Sequence, residues 1–584
     1  MKKSLLSIVC ICALCTSTEA MAQNTSLPSY SWGELLDTPT AGDMANAIAL
    51  DSYGNLYYLG TEGSNATSRS LTYGSDTIGE GAAYSGTSYN YNLTLLKTDK
   101  DGKLLWSIVS TEGEVAASNG TVTPLSDGSV IVTLKIRPAD GAIDKGFKLA
   151  DTSGNELTVE WNACDTRFYK GVIMKLSSEG KLLGYNIMEM DDAPQPGSDR
   201  ATTDALDICG AAMTPDDVVY IGARFRADMT LTGSDSQPHT LSPHNIVGWN
   251  GDSQATNGDM LILALDSDGL LTSTFTSPTT IVASKILALS YDNNTLAVVA
   301  TVQGEANQTV TIGDKSVTIN EYASPLIISM TDDFTVNWCR VFTAGQVKSK
   351  NPVLQSCAIR VIDGDLWVTG MFNGSFKCGD KEIASEEGTT PREGMLIRLS
   401  ADGTVLGATT SASDYGIKVP GTTVNCITGY LDIFTNPGDK EKIYLMGYGM
   451  NAKVGVFVRA YDVTTMRSNP DTEAWNLVTG GGAPVAQVMA YNPQDARLYL
   501  TARGNSQFTV MGGTAPKPAS GYGFGQLLAA FDLPFEKISG VDEISADSNL
   551  SAPVYYNLQG IVVKSPARGL FIRKQGNKVE KVIL

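Results

Sequence analysis

Residues 47–60 read Ala-Ile-Ala-Leu-Asp-Ser-Tyr-Gly-Asn-Leu-Tyr-Tyr-Leu-Gly, and residues 93–106 read Leu-Thr-Leu-Leu-Lys-Thr-Asp-Lys-Asp-Gly-Lys-Leu-Leu-Trp. Each phrase is two short β-type strings joined by a tight turn of Asp, Gly and Asn, which is ordinary hairpin chemistry. The first phrase returns at 122–134, 208–222, 286–300, 358–370, 427–447 and 488–501. The second follows most copies, at 171–183, 260–271, 326–338 and 395–406, with a longer, irregular sixth version at 456–475. One unit is therefore two hairpins, or four strands, repeated about seven times at spacings of about 60–90 residues. A fixed recurring unit decides the architecture. Four-stranded units in this number predict an all-β fold, a β-propeller of seven four-stranded blades.

The two ends of that array complement each other. The seventh unit reaches Gly523-Phe-Gly-Gln-Leu-Leu-Ala-Ala-Phe-Asp532 and breaks at Pro534, without an outgoing Gly-Lys-Leu-Leu-Trp string. The missing outer strand is present near the start, as Tyr30-Ser-Trp32-Gly-Glu-Leu-Leu36, with Trp32 in the place of Trp106. The expectation is that this N-terminal strand completes the last blade and leaves no open edge there.

These phrases resemble the bacterial β-propeller repeats called SBBP, over about residues 30–535. The resemblance implies a fold and no activity, because that family has no shared catalytic motif. Beyond Ser539 a polar linker (539–553) leads to Val554-Tyr-Tyr-Asn-Leu-Gln-Gly560, Arg568-Gly-Leu-Phe-Ile-Arg-Lys-Gln-Gly576 and 578–584. This segment, 554–584, resembles a shortened C-terminal sorting domain of type IX secretion, as carried by exported proteins of Bacteroidota. It reads as three β strings.

The first 22 residues read as a cleaved signal peptide: Lys2 and Lys3, the apolar run Leu5–Leu14, and Ala20-Met21-Ala22. Cys15 follows Leu14 rather than a small residue, which argues against lipidation. No later stretch reaches the roughly 18 apolar residues that span a bilayer, so no transmembrane anchor is expected. The body is expected over 23–538. Without the leader the net charge moves from −19 to −20, which disfavours nucleic acid.

Catalytic patterns are scarce. The two histidines, His239 and His244, share a proline-rich stretch with no Cys, Asp or Glu between them, so no metal is expected. Asp99-Lys-Asp101-Gly102 and Asp266-Ser-Asp268-Gly269 open like calcium loops, but the twelfth positions are Ser110 and Ser277, not Glu. No Gly-x-Ser-x-Gly elbow, CxxC pair or cofactor signature is present. Cys209, Cys357 and Cys426 occupy equivalent innermost positions, where a small apolar residue suits crowded strands.

Loop lengths carry the functional expectation. The gaps between second and third strands are long, at 61–92, 137–170, 226–259, 304–325, 373–394 and 505–522, and all leave one face. Recognition usually sits on such loops. They hold aromatic residues among small polar ones: Tyr84, Tyr89, Tyr91, Trp161, Tyr169, Trp249, Tyr322 and Tyr522. The reading is an exported, non-catalytic binding or adhesion module, without cofactor, for a glycan or an extracellular protein. A carbohydrate-active enzyme using carboxylates on that face, or a surface-assembly component, are the alternatives.

Overall fold

The computed structural model describes residues 27–37, 44–64, 70–81, 90–138, 146–160, 170–190, 205–244, 258–278, 281, 283–345, 353–385, 393–411, 428–449, 455–468, 474–480, 482, 485–516, 525–537, 554–557, 562–563, 570–575 and 578–583. The architecture is all-β and propeller-like. Among the described residues, seven antiparallel cores of four strands run in the order inner, second, third, outer. Sheet one is Met44–Leu50, Leu56–Ser64, Asn90–Thr98 and Leu104–Glu112. Sheet two is Glu114–Pro124, Val130–Arg137, Lys170–Leu176 and Leu182–Met190. Sheet three is Leu206–Met213, Val219–Phe225, Asp259–Leu265 and Leu271–Thr276. Sheet four is Ala283–Asp292, Thr295–Gln303, Ser324–Met330 and Val336–Val341. Sheet five is Val353–Ile362, Asp365–Asn373, Glu393–Leu399 and Val405–Thr410. Sheet six is Thr428–Asn436, Asp439–Gly449, Gly455–Asp462 and Ala474–Gly480. Sheet seven is Val485–Asn492, Arg497–Gly504 and Gly525–Asp532, with Ser29–Asp37 as its outer strand. That last ladder runs from Ser29↔Asp532 to Leu36↔Gln526.

The second and third strands are buried on both faces, as in Val219–Phe225 and Asp259–Leu265. Each sheet therefore has two neighbours. Tyr57, Leu59 and Leu95 of sheet one meet Val130, Val132 and Leu134 of sheet two. Tyr58 and Leu96, on the other face of sheet one, meet Tyr499, Leu528 and Ala530 of sheet seven. The remaining cores join sheets two to three, three to four, four to five, five to six and six to seven. Burying each such Leu, Val or Tyr contributes about 1.5–3 kcal/mol.

The inner strands share a device. In every sheet the ladder between inner and second strand slips near its insert end, between Ala45 and Ala47, Val115 and Gly120, Ile208 and Gly210, Ile286 and Ala288, Gln355 and Ala358, Tyr430 and Asp432, and Ala486 and Met489, with a second slip in sheet six between Thr435 and Asn436. A bulge bends its strand and re-aims side chains. Cys209 and Cys357 lie in two of these slips, and burial pushes the Cys209 thiol up to about 11 and the Cys357 thiol further up. Cys426 lies outside the described residues.

The long gaps are not plain loops. All six hold a hairpin; four of these add two strands to the outer edge of the preceding sheet, and a fifth pairs with a short strand just beyond that edge. Ser70–Tyr73 pairs with Ser29–Asp37, Phe147–Ala150 with Leu104–Glu112, and Met229–Thr232 with Leu182–Met190. Ser375–Cys378 pairs with Thr343–Gly345, which follows the outer strand of sheet four, and Phe508–Val510 pairs with Ala474–Gly480. The hairpin Gln308–Ile312 with Lys315–Ile319 has no ladder to another sheet among the described residues. An outer strand presents unpaired N–H and C=O groups, and the neighbour's hairpin satisfies them. The described part of five of the six inserts thus extends the rim, so the long gaps hold ordered hairpins as well as loop. The C-terminal segment forms its own sheet of four strands rather than three, ordered Val562–Val563, Val554–Tyr556, Leu570–Gln575, Lys578–Ile583.

Candidate functional site

The two faces differ in chemistry. On one, the third and outer strands of sheets one, two, three and five are joined by an Asp/Ser-x-x-Gly turn, and the carboxylates act locally. Asp99 Oδ1 accepts from the amides of Asp101 and Lys103, and Asp266 Oδ1 from those of Asp268 and Leu270. Among the described residues no group of three His, Cys, Asp or Glu side chains could hold a metal ion.

The same turns join neighbouring sheets. The Trp32 indole donates to the Lys100 carbonyl at 2.9 Å, Trp106 to Ser178 at 2.9 Å, and Trp338 to Ala401 at 2.7 Å. Each ring lies on the glycine of that turn. A Cβ would stand 2.5 Å from Trp32 at Gly102, 2.9 Å from Trp106 at Gly180 and 2.6 Å from Trp338 at Gly403, at φ of +84°, +80° and +81°. Elsewhere other side chains take this place: Asn186 donates to Thr232 and Gly269, Phe275 meets Phe334, and Trp475 meets Phe535.

The inner strands of all seven sheets line a central channel of about 910 Å³. Small residues recur in its wall, among them Ala47, Ala49, Gly120, Gly210, Ala288 and Ala358, beside Ile and Leu. Gln487 of sheet seven accepts the Ala45 amide of the adjoining sheet one at 2.8 Å. Four charged side chains interrupt this wall: Asp207, Lys285, Arg360 and Asp432.

Arg360 pairs with Trp367, near the turn end of the strands, and its guanidinium meets Asp432 at 2.5 Å. Burial pushes the Asp432 carboxyl up, against the pull of Arg360. Asp207 stands at the opposite end. Its ladder partner is Arg224, one residue before Phe225, where the insert of sheet three leaves. Asp207 is ion-paired to Arg224, to Lys135 Nζ of sheet two at 3.3 Å and to Lys285 Nζ of sheet four at 3.8 Å. Burial pushes this carboxyl up, but the three cations overcome it and hold the carboxyl at about 2. The mouth on the insert face therefore gathers three cations around one carboxylate, in a chain whose net charge is −19.

Of the eight aromatic candidates, Tyr84, Tyr89, Trp161, Tyr169, Trp249 and Tyr522 lie outside the described residues. Tyr91 is half-buried at the insert end of Asn90–Thr98. Tyr322, also half-buried, packs on the core between sheets four and five. The structure does not bring these two together. His239 meets Asp235 at 3.0 Å in its hairpin turn and His244 meets Asp259 at 3.1 Å, so the two histidines serve different partners. Sequence reasoning missed Asp207, Lys285, Arg224 and Lys135. The available signal was charge (Glu114, Asp207 and Lys285) at the inner-strand position that the first, fifth, sixth and seventh units fill with Met44, Leu354, Gly429 and Val485.

No family model matches the chain, and no curated protein matches it. Among the described residues no helix is long and apolar enough to cross a membrane. Solved structures with similar arrangements include the quinohemoprotein alcohol dehydrogenase of Comamonas testosteroni, with a TM-score of 0.34 at 11% identity, covering 89% of this chain and 78% of that one. A streptogramin B lyase gives 0.31 at 10% identity, covering 86% and 100%. A protein of unknown function from Bacteroides caccae gives 0.26 at 11% identity, covering 66% and 93%. Likeness at this level carries no argument about activity.

Proposed function

We propose that this chain is an exported, non-catalytic binding module on a seven-bladed propeller, closed by its N-terminal strand, that takes a glycan or an extracellular protein on the insert face. Support for closure comes from the cyclic order of the seven cores and from the Ser29–Asp37 ladder on Gly525–Asp532. The leader-like residues 1–22 and the sorting-like sheet at 554–583 support export. The observation that carries the binding reading is the asymmetry of the channel. Its insert end carries clustered charge, Asp207 with three cations around it, while toward the turn end the wall carries Arg360 already paired with Asp432.

The test is a binding screen of the purified protein against immobilised glycans, mucins and matrix proteins. A bulky maleimide adduct at Glu305→Cys, on the exposed insert of sheet four, is expected to block the bound class. The same adduct at Asp101→Cys, whose side chain is 68% exposed on the turn face, leaves binding intact. Equal blocking by both adducts, or saturable binding of nothing on the panel, removes this reading.

A further inference from the structure

We infer that the insert-end mouth of the channel is an oxyanion site, built from Arg224 and Lys285 around Asp207, that takes the carboxylate or sulfate of an acidic sugar. This deepens the binding reading above and rests on it. Three observations carry it.

The first is placement. Asp207 and Lys285 both line the channel within three residues of the start of their inner strands, Leu206–Met213 and Ala283–Asp292. Arg224 is the cross-strand partner of Asp207. Arg224 and Lys285 both reach the same carboxylate oxygen, Asp207 Oδ2. A guanidinium and an ammonium therefore stand side by side, with the ammonium facing the channel.

The second is unsatisfied donor capacity. Arg224 is 7% exposed, and its Nε has no acceptor among the described residues. Lys285 Nζ lies 3.8 Å from Asp207, beyond hydrogen-bond distance. Its side chain is 31% exposed. A buried guanidinium is costly unless its donors are met, and oxyanions meet them with strong, charge-assisted bonds.

The third is charge. Asp207 supplies one negative charge to three cations, and its carboxyl is held ionised, so it cannot itself donate to an incoming anion. It orders the cations while leaving the cluster positive. The wall beyond is small or apolar, with Ala47, Gly210 and Ala288 beside Ile48, Leu287 and Tyr448, and its other carboxylate is Asp432, which Arg360 already holds. Such a wall leaves the mouth as the charged feature that an acidic terminal group would meet.

The experiment is calorimetric titration of the purified full chain with sodium sulfate, galacturonate oligomers and neutral galactose oligomers, at low and at moderate salt. The wild type is expected to bind the acidic oligomers and sulfate, not the neutral ones, with affinity falling as salt rises. Lys285→Gln is expected to weaken oligomer binding about tenfold, and Lys285→Arg to restore most of it. Asp207→Asn carries the opposite sign: where the variant folds, it tightens anion binding, because a competing acceptor is gone. Unchanged affinity in Lys285→Gln, or equal binding of neutral and acidic oligomers, overturns the site. The two readings fail separately. If the glycan and protein screen finds a ligand whose binding ignores Lys285, the module stands and the anion site falls. If sulfate and galacturonate bind through Lys285 while the screen finds nothing, the site stands and the macromolecular reading falls.

Discussion

The turn face and the insert face of this protein use the same residue types for opposite purposes. On the turn face the carboxylates of Asp99 and Asp266 bond to their own backbone amides, and Trp32, Trp106 and Trp338 each cover the glycine of the next sheet's turn. The polar groups named there serve the turns and the contacts between sheets. On the insert face Asp207 collects cations from three sheets, and the Arg224 Nε has no acceptor among the described residues. The difference teaches where to look in a repeated fold. Positions that recur from unit to unit serve packing, and the departures from the repeat mark what the molecule is for.

The comparison breaks most visibly at Trp106, which is 9% exposed between sheets one and two. Trp106→Ala should cost about 3–5 kcal/mol of unfolding free energy, measured by urea titration, while leaving ligand affinity unchanged. A loss below about 1 kcal/mol would show that the turn face is not what ties the sheets.

Acid comes next. The carboxyl of Asp207 is held at about 2, below its ordinary value in an unfolded chain. A depressed folded value means its contribution, about 2 kcal/mol, is present above pH ~4 and is lost as pH falls toward the folded value. Asp207→Asn should therefore flatten the acid limb of the stability curve between about pH 4 and 2. An unaltered acid limb contradicts the ion cluster.

Gly102→Ala sharpens the turn side of the contrast. Gly102 has φ +84°, and the new Cβ would sit 2.5 Å from the Trp32 ring. The expected loss is about 1–2 kcal/mol from the left-handed backbone, plus displacement of the ring. Quenching and polarity shifts of tryptophan fluorescence report that displacement, and an unmoved ring would refute the contact. The smallest effect belongs to Lys285→Gln, whose side chain is 31% exposed. Thermal unfolding should change by less than about 0.5 kcal/mol. A larger change would mean Lys285 is a structural cation rather than a ligand-facing one.

Much of the fold was legible because its signals are local. Asp99 to Gly102 is a turn by chemistry alone, and the missing seventh outer string could be matched to residues 30–36 by Trp32. Those strands pair as expected. The destination of the inserts was not legible. The partner of Leu149 is Ser110 and that of Thr230 is Glu189, each on another sheet, and short polar strings reveal no such pairing until the outer strand is in place. The charge cluster was hidden for a similar reason. Lys135, Asp207, Arg224 and Lys285 come from four strands of three sheets, and each alone reads as an ordinary surface charge.

The docked hairpins carry one more consequence. Each is encoded within one unit yet finishes the border of the unit before it, so the boundaries of genetic repeat and physical sheet are out of step. Cutting out a single unit would strip the edge from its predecessor and leave its successor's hairpin without a place to pair. An array written this way resists the gain or loss of single copies. Its number of units is guarded by overlap, much as interlocked roof tiles cannot be lifted one at a time.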